Sequence, residues 1–536
     1  MKSDQNAQHH VAIVGAGIGG LAAALRLAAS GCAVTVVEAQ PAPGGKMRTI
    51  PSVAGPVDAG PTVLTMRPVF EALFAAAGER LEDHLTLTPL PILARHYWQD
   101  GASLDLMADR DQSAANIEAA FGSRSAAEFK AFASRAARLF DAFDGPMMQA
   151  ERPSQLELVR KVATNPGLLL DMAPWKSLAG LLKGAFSDPH MAQLFGRYAT
   201  YVGGSPYSAP ALLSLIADAE ARGVWAVEGG MHRLAQTLET LAKANGAVFR
   251  YSTRVQRIEM QGGRAAGIAT TSGRIAADAV LFNGDPRALH RGLLGDAGRH
   301  AVPSASVNPR SLSAWVHAFA ATPNGPPLAY HTVFFGNDPR AEFGALARGE
   351  RPTDATLYVC AQDRAGPVAP TGPERFEIIL NGAPIGGASQ RSALRGPTAE
   401  TERDIAQCQT LIFDRLATFG LSFDPRPTST ALTTPEGFAR LFPASGGSLY
   451  GRSPHGLTAG LKRPLARTTV PGLYLCGGGA HPGAGVPMAT LSARHAAGAI
   501  LTDLALPSPS PRMATPGGMS TGSRTMGPGP SRSSVS

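Results

Sequence analysis

The sequence predicts an α/β fold with a parallel sheet assembled from discontinuous segments, and three observations predict it. A short apolar run, Val11 to Val14, enters the turn Gly15-Ala16-Gly17-Ile18-Gly19-Gly20. An Ala/Leu-rich helical pattern follows to Ser30, Gly31 stops it, and Val34 to Val37 forms a second strand ending in Glu38. Far along the chain, Leu473 to Leu475 runs into a second glycine-rich turn and another helix. Strand, glycine turn, helix, strand and acid, in that order, make a Rossmann-type dinucleotide-binding unit.

Each part of that unit has a physical task. Gly15 permits the tight turn, Gly17 lets backbone approach a pyrophosphate, and Gly20 lets the helix lie close on the strand. The helix N-terminus offers free N–H groups and partial positive charge to phosphates. Glu38, at the end of the second strand, is placed to accept hydrogen bonds from a ribose. The bland alternative is a Rossmann unit without a ligand.

Residues 41–65 read as loops with sharp turns, carrying Gly44-Gly45-Lys46-Met47-Arg48-Thr49 and then Asp58-Ala59-Gly60-Pro61-Thr62. From Pro68 to about Ala221 the pattern is mostly helical, with apolar spacings of three and four at 71–78 and 125–143. Within it, residues 165–186 combine three consecutive leucines, Trp175, Leu178, Leu181, Leu182 and Phe186 with Lys176 and Lys183. That face suits a membrane interface or, equally, an amphipathic helix packed on the core. A turn follows at 201–206, then helices at 209–221 and through Leu241, then strand patterns at 247–251, 255–260, 265–270 and 279–283. Signals over 286–460 are mixed, and a small-residue helix is expected over 489–504. From Pro507 the chain is Pro, Ser, Gly, Thr and Arg with few large apolar groups, which predicts a disordered tail over 507–536.

Composition narrows the classes. The chain has 536 residues, enough for two sizeable cores, and is 44% hydrophobic and 17% charged. No apolar run approaches the roughly 18 residues that cross a bilayer, and the polar N-terminus does not read as a signal peptide. Cys32, Cys360, Cys408 and Cys476 lack CxxC spacing, so no metal site or disulfide framework is expected and a reducing cytoplasm fits. The net charge of +8 is carried by scattered arginines, with no run suited to nucleic acid.

Gly44-Gly45 just past the ribose acid, and the late turn Cys476-Gly477-Gly478-Gly479-Ala480-His481-Pro482-Gly483-Ala484-Gly485-Val486-Pro487-Met488, move the ligand from NAD to FAD. A long cofactor needs both ends held, and a second helix N-terminus near Gly485 to Met488 suits the isoalloxazine end. With these segments the sequence resembles the phytoene desaturase-type carotenoid desaturases of the flavin amine oxidase-like superfamily. The resemblance rests on VAIVGAGIGGLAAALRLA, EAQPAPGGKMRT, DAGPTVLTM, YVGGSPY, GVWAVEGGMHRLAQTL and LYLCGGGAHPGAGVPMATLSA, and covers residues 10–505. LYGRSPHG (449–456) and the GGGAHPGAGVPMA form are similar to the branch acting on 1-hydroxycarotenoids in photosynthetic bacteria.

The resemblance implies a glutathione reductase/amine oxidase-like FAD domain in segments 1–66, 222–290 and 465–506. A mixed α+β substrate domain with a helical membrane-facing part would fill 67–221 and 291–464. Gly15, Gly17, Ile18, Gly19, Gly20, Glu38, Gly44, Gly45, Lys46, Met47, Arg48 and the backbone of Val255 would contact the ADP side of FAD. Gly479, Gly485, Val486, Pro487 and Met488 would contact the flavin. Lys46 replaces a frequent arginine, which keeps charge but loses the bidentate fork, and the usual acid near Gly478 is absent.

The implied reaction is introduction of a C-3,4 double bond into a 1-hydroxycarotenoid by hydride transfer to flavin N5. The alternatives are a phytoene desaturase, a carotenoid isomerase or saturase, and a flavin-free prenyl binder like the Rab GDP-dissociation inhibitors. The substrate would be a carotenoid, the location cytoplasmic and peripheral on the inner membrane. The electron acceptor stays open between oxygen and a quinone. The catalytic residue is unknown at this level. His481 is a candidate base set against a backbone-bound loop histidine, His232 reads as structural or dinucleotide-adjacent, and Asp58 reads as a turn or cap. Tyr450, Arg452 and His455 read as either substrate-hydroxyl contacts or solvated loop residues.

Overall fold

The protein is described from a computed structural model in which residues 9–366, 368, 370–386 and 399–505 are described. The tail expected over 507–536 lies outside the described residues.

The strand β1 (His10–Val14), the helix α1 (Ile18–Ala29) and the strand β2 (Ala33–Val37) form the opening unit. β1 is the centre of a five-stranded sheet in the order Leu473–Leu475, Ala279–Phe282, β1, β2, Val248–Arg250, with every pairing parallel. Val11 to Val14 are buried because both faces are covered, as a parallel sheet requires. On one face, Leu21 and Leu25 of α1 pack with Leu234 and Leu238 of the helix His232–Ala244 and with Ile500 of the helix Val486–Asp503. On the other face, Ala12 and Val280 meet Ile258 and Ile268 of an antiparallel sheet formed by Val255–Gln261, Arg264–Thr270 and Gly273–Ala276. Segments far apart in sequence therefore complete one sheet and bring their C-terminal ends to one edge.

The final helix begins at Val486 rather than Ala489. Pro487 lies in its first turn, where the missing N–H costs no intrahelical bond. Proline there resembles a breaker but acts as a start.

The remaining chain builds a larger sheet in the order Ser422–Asp424, Ser313–Asn324, Glu374–Gly382, Leu357–Ala361, His331–Phe334, Ile92–Tyr97, Ser103–Met107. Two of these strands correct the mostly helical expectation for 68–221. Ile92–Tyr97 and Ser103–Met107 are short, but Leu104 and Leu106 alternate inward at the strand period. The long helical pattern that follows, over Arg110–Phe143, masks that signal. The helix Arg110–Phe143 packs Phe129 and Phe132 against Phe195 and the sheet residues Leu104 and Leu106.

The stretch 165–186 is not one helix. Ala173, in the left-handed region at φ 39°, separates the helices Pro166–Met172 and Leu178–Ala185. Leu168, Leu178, Leu181, Leu182 and Phe186 are buried, whereas Leu169, Leu170 and Trp175 are exposed. The core reading and the surface reading each hold for a different part of it.

Candidate active site

The edge where the parallel strands end is built around Gly15 and Glu38. Gly15 has φ 102° and donates its N–H to the Val37 carbonyl at 2.8 Å, so the turn is tied to β2. Both oxygens of Glu38 accept from backbone, from Ala16 N–H at 2.7 Å and from Gln40 N–H at 2.8 Å. The acid thus fixes the shape of the turn while remaining on the cavity wall.

The two glycine turns touch. A Cβ on Gly20 would lie 2.1 Å from the Gly15 carbonyl oxygen, and one on Gly19 would lie 2.8 Å from the Gly477 Cα. Gly17 bridges Gly44, and a Cβ on Gly45 would be 3.1 Å from the Gly17 Cα. Asn283, which the sequence reading did not single out, joins both turns. Its Nδ2 donates to the Gly15 carbonyl at 3.1 Å and to the Gly17 carbonyl at 3.3 Å, and its Oδ1 accepts from Cys476 Sγ at 3.5 Å. Its one sequence signal is position: it directly follows the parallel strand Ala279–Phe282, where ligand-facing residues occur.

These turns open into a cavity of about 1690 Å³. Gly15, Gly17, Ile18, Gly19, Glu38, Gly44, Gly45, Lys46, Met47 and Val255 line it, as do Gly479, Gly485, Val486, Pro487 and Met488. Two residues of the sequence-predicted set do not line it. Gly20 is spent on helix–strand packing, and Arg48 points elsewhere, with Nη2 donating to Thr433 Oγ1 at 2.5 Å and its guanidinium 5.7 Å from the Phe438 ring. Lys46 Nζ donates to the Leu449 carbonyl and lies 5.4 Å from the Phe442 ring centre. Burial pushes its pKa down to about 8, against the opposing charge of Asp285.

The other residues weighed from sequence separate clearly. Asp58 accepts from the N–H groups of Met231 and His232, so it caps the helix His232–Ala244 from across the chain. His232 Nδ1 meets the Met47 carbonyl at 2.6 Å. His481 is buried off the cavity wall with Nε2 2.9 Å from the Ala150 carbonyl, and burial lowers its pKa. The 449–456 loop is not solvated as its composition suggests. Tyr450 lines the cavity, Arg452 is buried with Nε on the Ala305 carbonyl, and His455 Nε2 accepts from Ser205 N–H at 3.0 Å. Arg463, unremarkable in sequence, binds the carbonyls of Gly478 and Tyr450, both at 2.9 Å, and so ties this loop to the second glycine turn.

The arrangement fits FAD. The turns leave no room for side chains where backbone must approach phosphates, two helix N-termini face the same space, and one cavity spans both. Its volume exceeds the roughly 300–1,000 Å³ of a typical single-ligand pocket, which leaves room for a second, largely apolar molecule.

The family described as flavin containing amine oxidoreductase matches residues 18–307, more than half of the chain. A hydroxyneurosporene desaturase of Cereibacter sphaeroides is 57% identical over 92% of this chain and 98% of its own length. One from Rhodobacter capsulatus is 50% identical over the same shares. The chain belongs to the carotenoid desaturases of the flavin containing amine oxidoreductase family. As a member of this family it takes FAD as cofactor. Among solved structures, cyclohexylamine oxidase from Brevibacterium oxydans matches with a TM-score of 0.54 and 17% identity, over 93% of this chain and 100% of that one, which shows the shared fold. The flavin-free prenyl-binder alternative finds no support in this family match.

Proposed function

We infer that the chain is an FAD-dependent desaturase that introduces a C-3,4 double bond into a 1-hydroxycarotenoid of the 1-hydroxyneurosporene type. The observation that carries this reading is 57% identity over nearly the whole chain to a hydroxyneurosporene desaturase. The cavity supports it, because its wall joins the glycine turns to apolar side chains such as Leu182, Leu212, Phe335 and Ile379.

Bound FAD supplies a two-electron acceptor that takes hydride from the substrate. The chain's own residues position and desolvate. An apolar wall holds the polyene, and holding reacting atoms about 3–3.5 Å apart accounts for a large part of such a rate. The conjugated chain stabilises developing positive charge, so the reaction does not require a strong base, consistent with His481 being engaged by the Ala150 carbonyl.

The contacts assigned above to the ADP and flavin halves, and the division of the chain into FAD and substrate segments, form part of this proposal. So does the route of the substrate. No helix among the described residues is long and apolar enough to cross a membrane. Leu156, Val159, Leu169 and Leu170 are nevertheless exposed on the contacting helices Gln155–Thr164 and Pro166–Met172, and Trp175 and Lys176 are exposed in the turn that follows, before the helix Leu178–Ala185 with its exposed Lys183. Ser177, Gly180 and Lys183 also line the cavity, so its wall reaches this face. Peripheral contact with an anionic membrane at this patch would admit a lipid-dissolved polyene.

Chromatography of pigments from cells co-expressing the chain with a source of 1-hydroxyneurosporene or of phytoene tests the reaction. A product longer by one conjugated double bond is expected only in the first. Consumption of phytoene alone would contradict the assignment.

A further inference from the structure

Among the described residues that line the cavity, Glu342 is a carboxyl group with one oxygen left without a hydrogen-bond partner. Glu342, in the first turn of the helix Pro339–Arg348, would ordinarily serve the helix from the surface. Here it is 2% exposed and lines the cavity. Thr356 Oγ1 donates to its Oε2 at 2.8 Å, and the Asn381 side chain lies against the same carboxyl group. Its Oε1 has no hydrogen-bond partner. Thr356 and Asn381 themselves line the cavity, so the three groups form one polar patch on its wall.

The position of the patch is informative. Tyr358, two residues beyond Thr356, hydrogen-bonds Thr62 at 2.7 Å, and both line the cavity with Gly60 and Pro61. Tyr358 therefore marks where the sheet meets the 58–62 segment on the cavity wall. Two residues of extended chain separate it from Thr356 by about 6.6–6.8 Å. In a 1-hydroxycarotenoid the hydroxyl-bearing carbon is only two carbons from C-3. A hydroxyl recognised during 3,4-desaturation must therefore bind near the reacting carbons, not at the distant end of a tunnel.

We propose that Glu342, with Thr356 and Asn381, forms the subsite that receives the terminal hydroxyl of the substrate and so selects hydroxylated over unhydroxylated polyenes. This rests on the reading of the reaction given above. A hydroxyl both donates and accepts, so it pairs with Oε1 whether the carboxyl is ionised or protonated. A hydrocarbon end group would leave Oε1 buried and unpaired, the situation in which sites discriminate most strongly. Burial pushes the Glu342 pKa up to about 7, so both protonation states occur near neutrality.

The test compares 1-hydroxyneurosporene with neurosporene, both in liposomes, using the full-length FAD-loaded protein. kcat/KM is measured for each, alongside Kd from quenching of tryptophan fluorescence by the polyene. The wild type should favour the hydroxylated substrate by about tenfold or more in both quantities. Glu342→Leu should bring the preference to within about threefold, and Glu342→Gln, which keeps an acceptor and gains a donor, should restore most of it. Asn381→Leu is made in parallel, so that a folding failure of one variant does not decide the question. A preference unchanged in the Leu variants, or equal losses on both substrates, would overturn the proposal and leave Glu342 a structural residue. A hydroxyl preference in Kd that Glu342→Leu abolishes, with no turnover of either polyene by the wild type, would support the subsite and sink the reaction assigned above.

Discussion

Asn283 donates a hydrogen bond to the Gly15 carbonyl at 3.1 Å, linking the end of one parallel strand to the glycine turn that follows another. The same side chain reaches Gly17 and Cys476, so it joins the first and last segments of the nucleotide side of the fold. Asn283→Ala should leave the Gly15 and Gly17 carbonyls without this donor and cost about 1–3 kcal/mol. Thermal unfolding and the flavin-to-protein absorbance ratio should both fall. Unchanged values for both would show that the turns hold their shape without it.

Two glycines should respond in opposite ways to the same change. Gly20→Ala places a Cβ 2.1 Å from the Gly15 carbonyl oxygen, so the turn must move and flavin retention should be lost. Gly498, inside the helix Val486–Asp503, has nothing within 4 Å of an added Cβ. Gly498→Ala should stabilise by about 0.5–1 kcal/mol, because alanine loses less backbone entropy in a helix. Denaturant titration of both variants checks the pair.

That contrast indicates what was legible in the sequence. The opening unit, the strand at 473–475 and the returning strands before Asn283 carry local patterns, namely short apolar runs and glycine punctuation, that survive into the fold. Ile92–Tyr97 is hidden because six residues carry little weight beside the long helical pattern from Arg110 onward, and the helix starting at Val486 because Pro487 resembles a breaker. Asn283, Arg463 and Glu342 gave almost no signal. Their surroundings are set by segments distant in sequence, and a single polar letter does not say whether its side chain will face water or a cavity. The stretch 165–186 left two readings open because periodicity alone does not show which half of an apolar face a neighbouring helix covers.

Stability should carry a pH signature from Glu342. Its folded pKa of about 7 exceeds the ordinary 4.5, chiefly through burial, with Asp354 adding to the rise and Thr356 and Asn381 opposing it. Below about pH 4.5 the group is protonated in both states and contributes no penalty. As pH rises from 4.5 to 7 the unfolded state releases its proton first, so stability falls, by up to about 3 kcal/mol, and then levels off. The difference in unfolding free energy between Glu342→Gln and wild type should therefore shift in favour of the variant over that window. A pH-independent difference would contradict a buried, proton-holding carboxyl.

The exposed patch predicts vesicle binding. Leu170→Glu combined with Trp175→Glu should lower co-sedimentation with anionic liposomes by at least about tenfold, since burying each such side chain is worth about 1.5–3 kcal/mol. Added salt should weaken the wild-type interaction through Lys176 and Lys183. Retained binding by the double variant would place the membrane contact on another face.

The central claim is that this cavity brings FAD and a hydroxylated polyene together for one desaturation. Anaerobic mixing of the FAD-loaded protein with 1-hydroxyneurosporene in liposomes tests it most directly, with the flavin and polyene absorption bands followed together. The oxidised-flavin band should bleach as the polyene band shifts to the red, one polyene converted per flavin. A red shift with no change in the flavin, or a flavin that stays oxidised beside unreacted bound polyene, would contradict it.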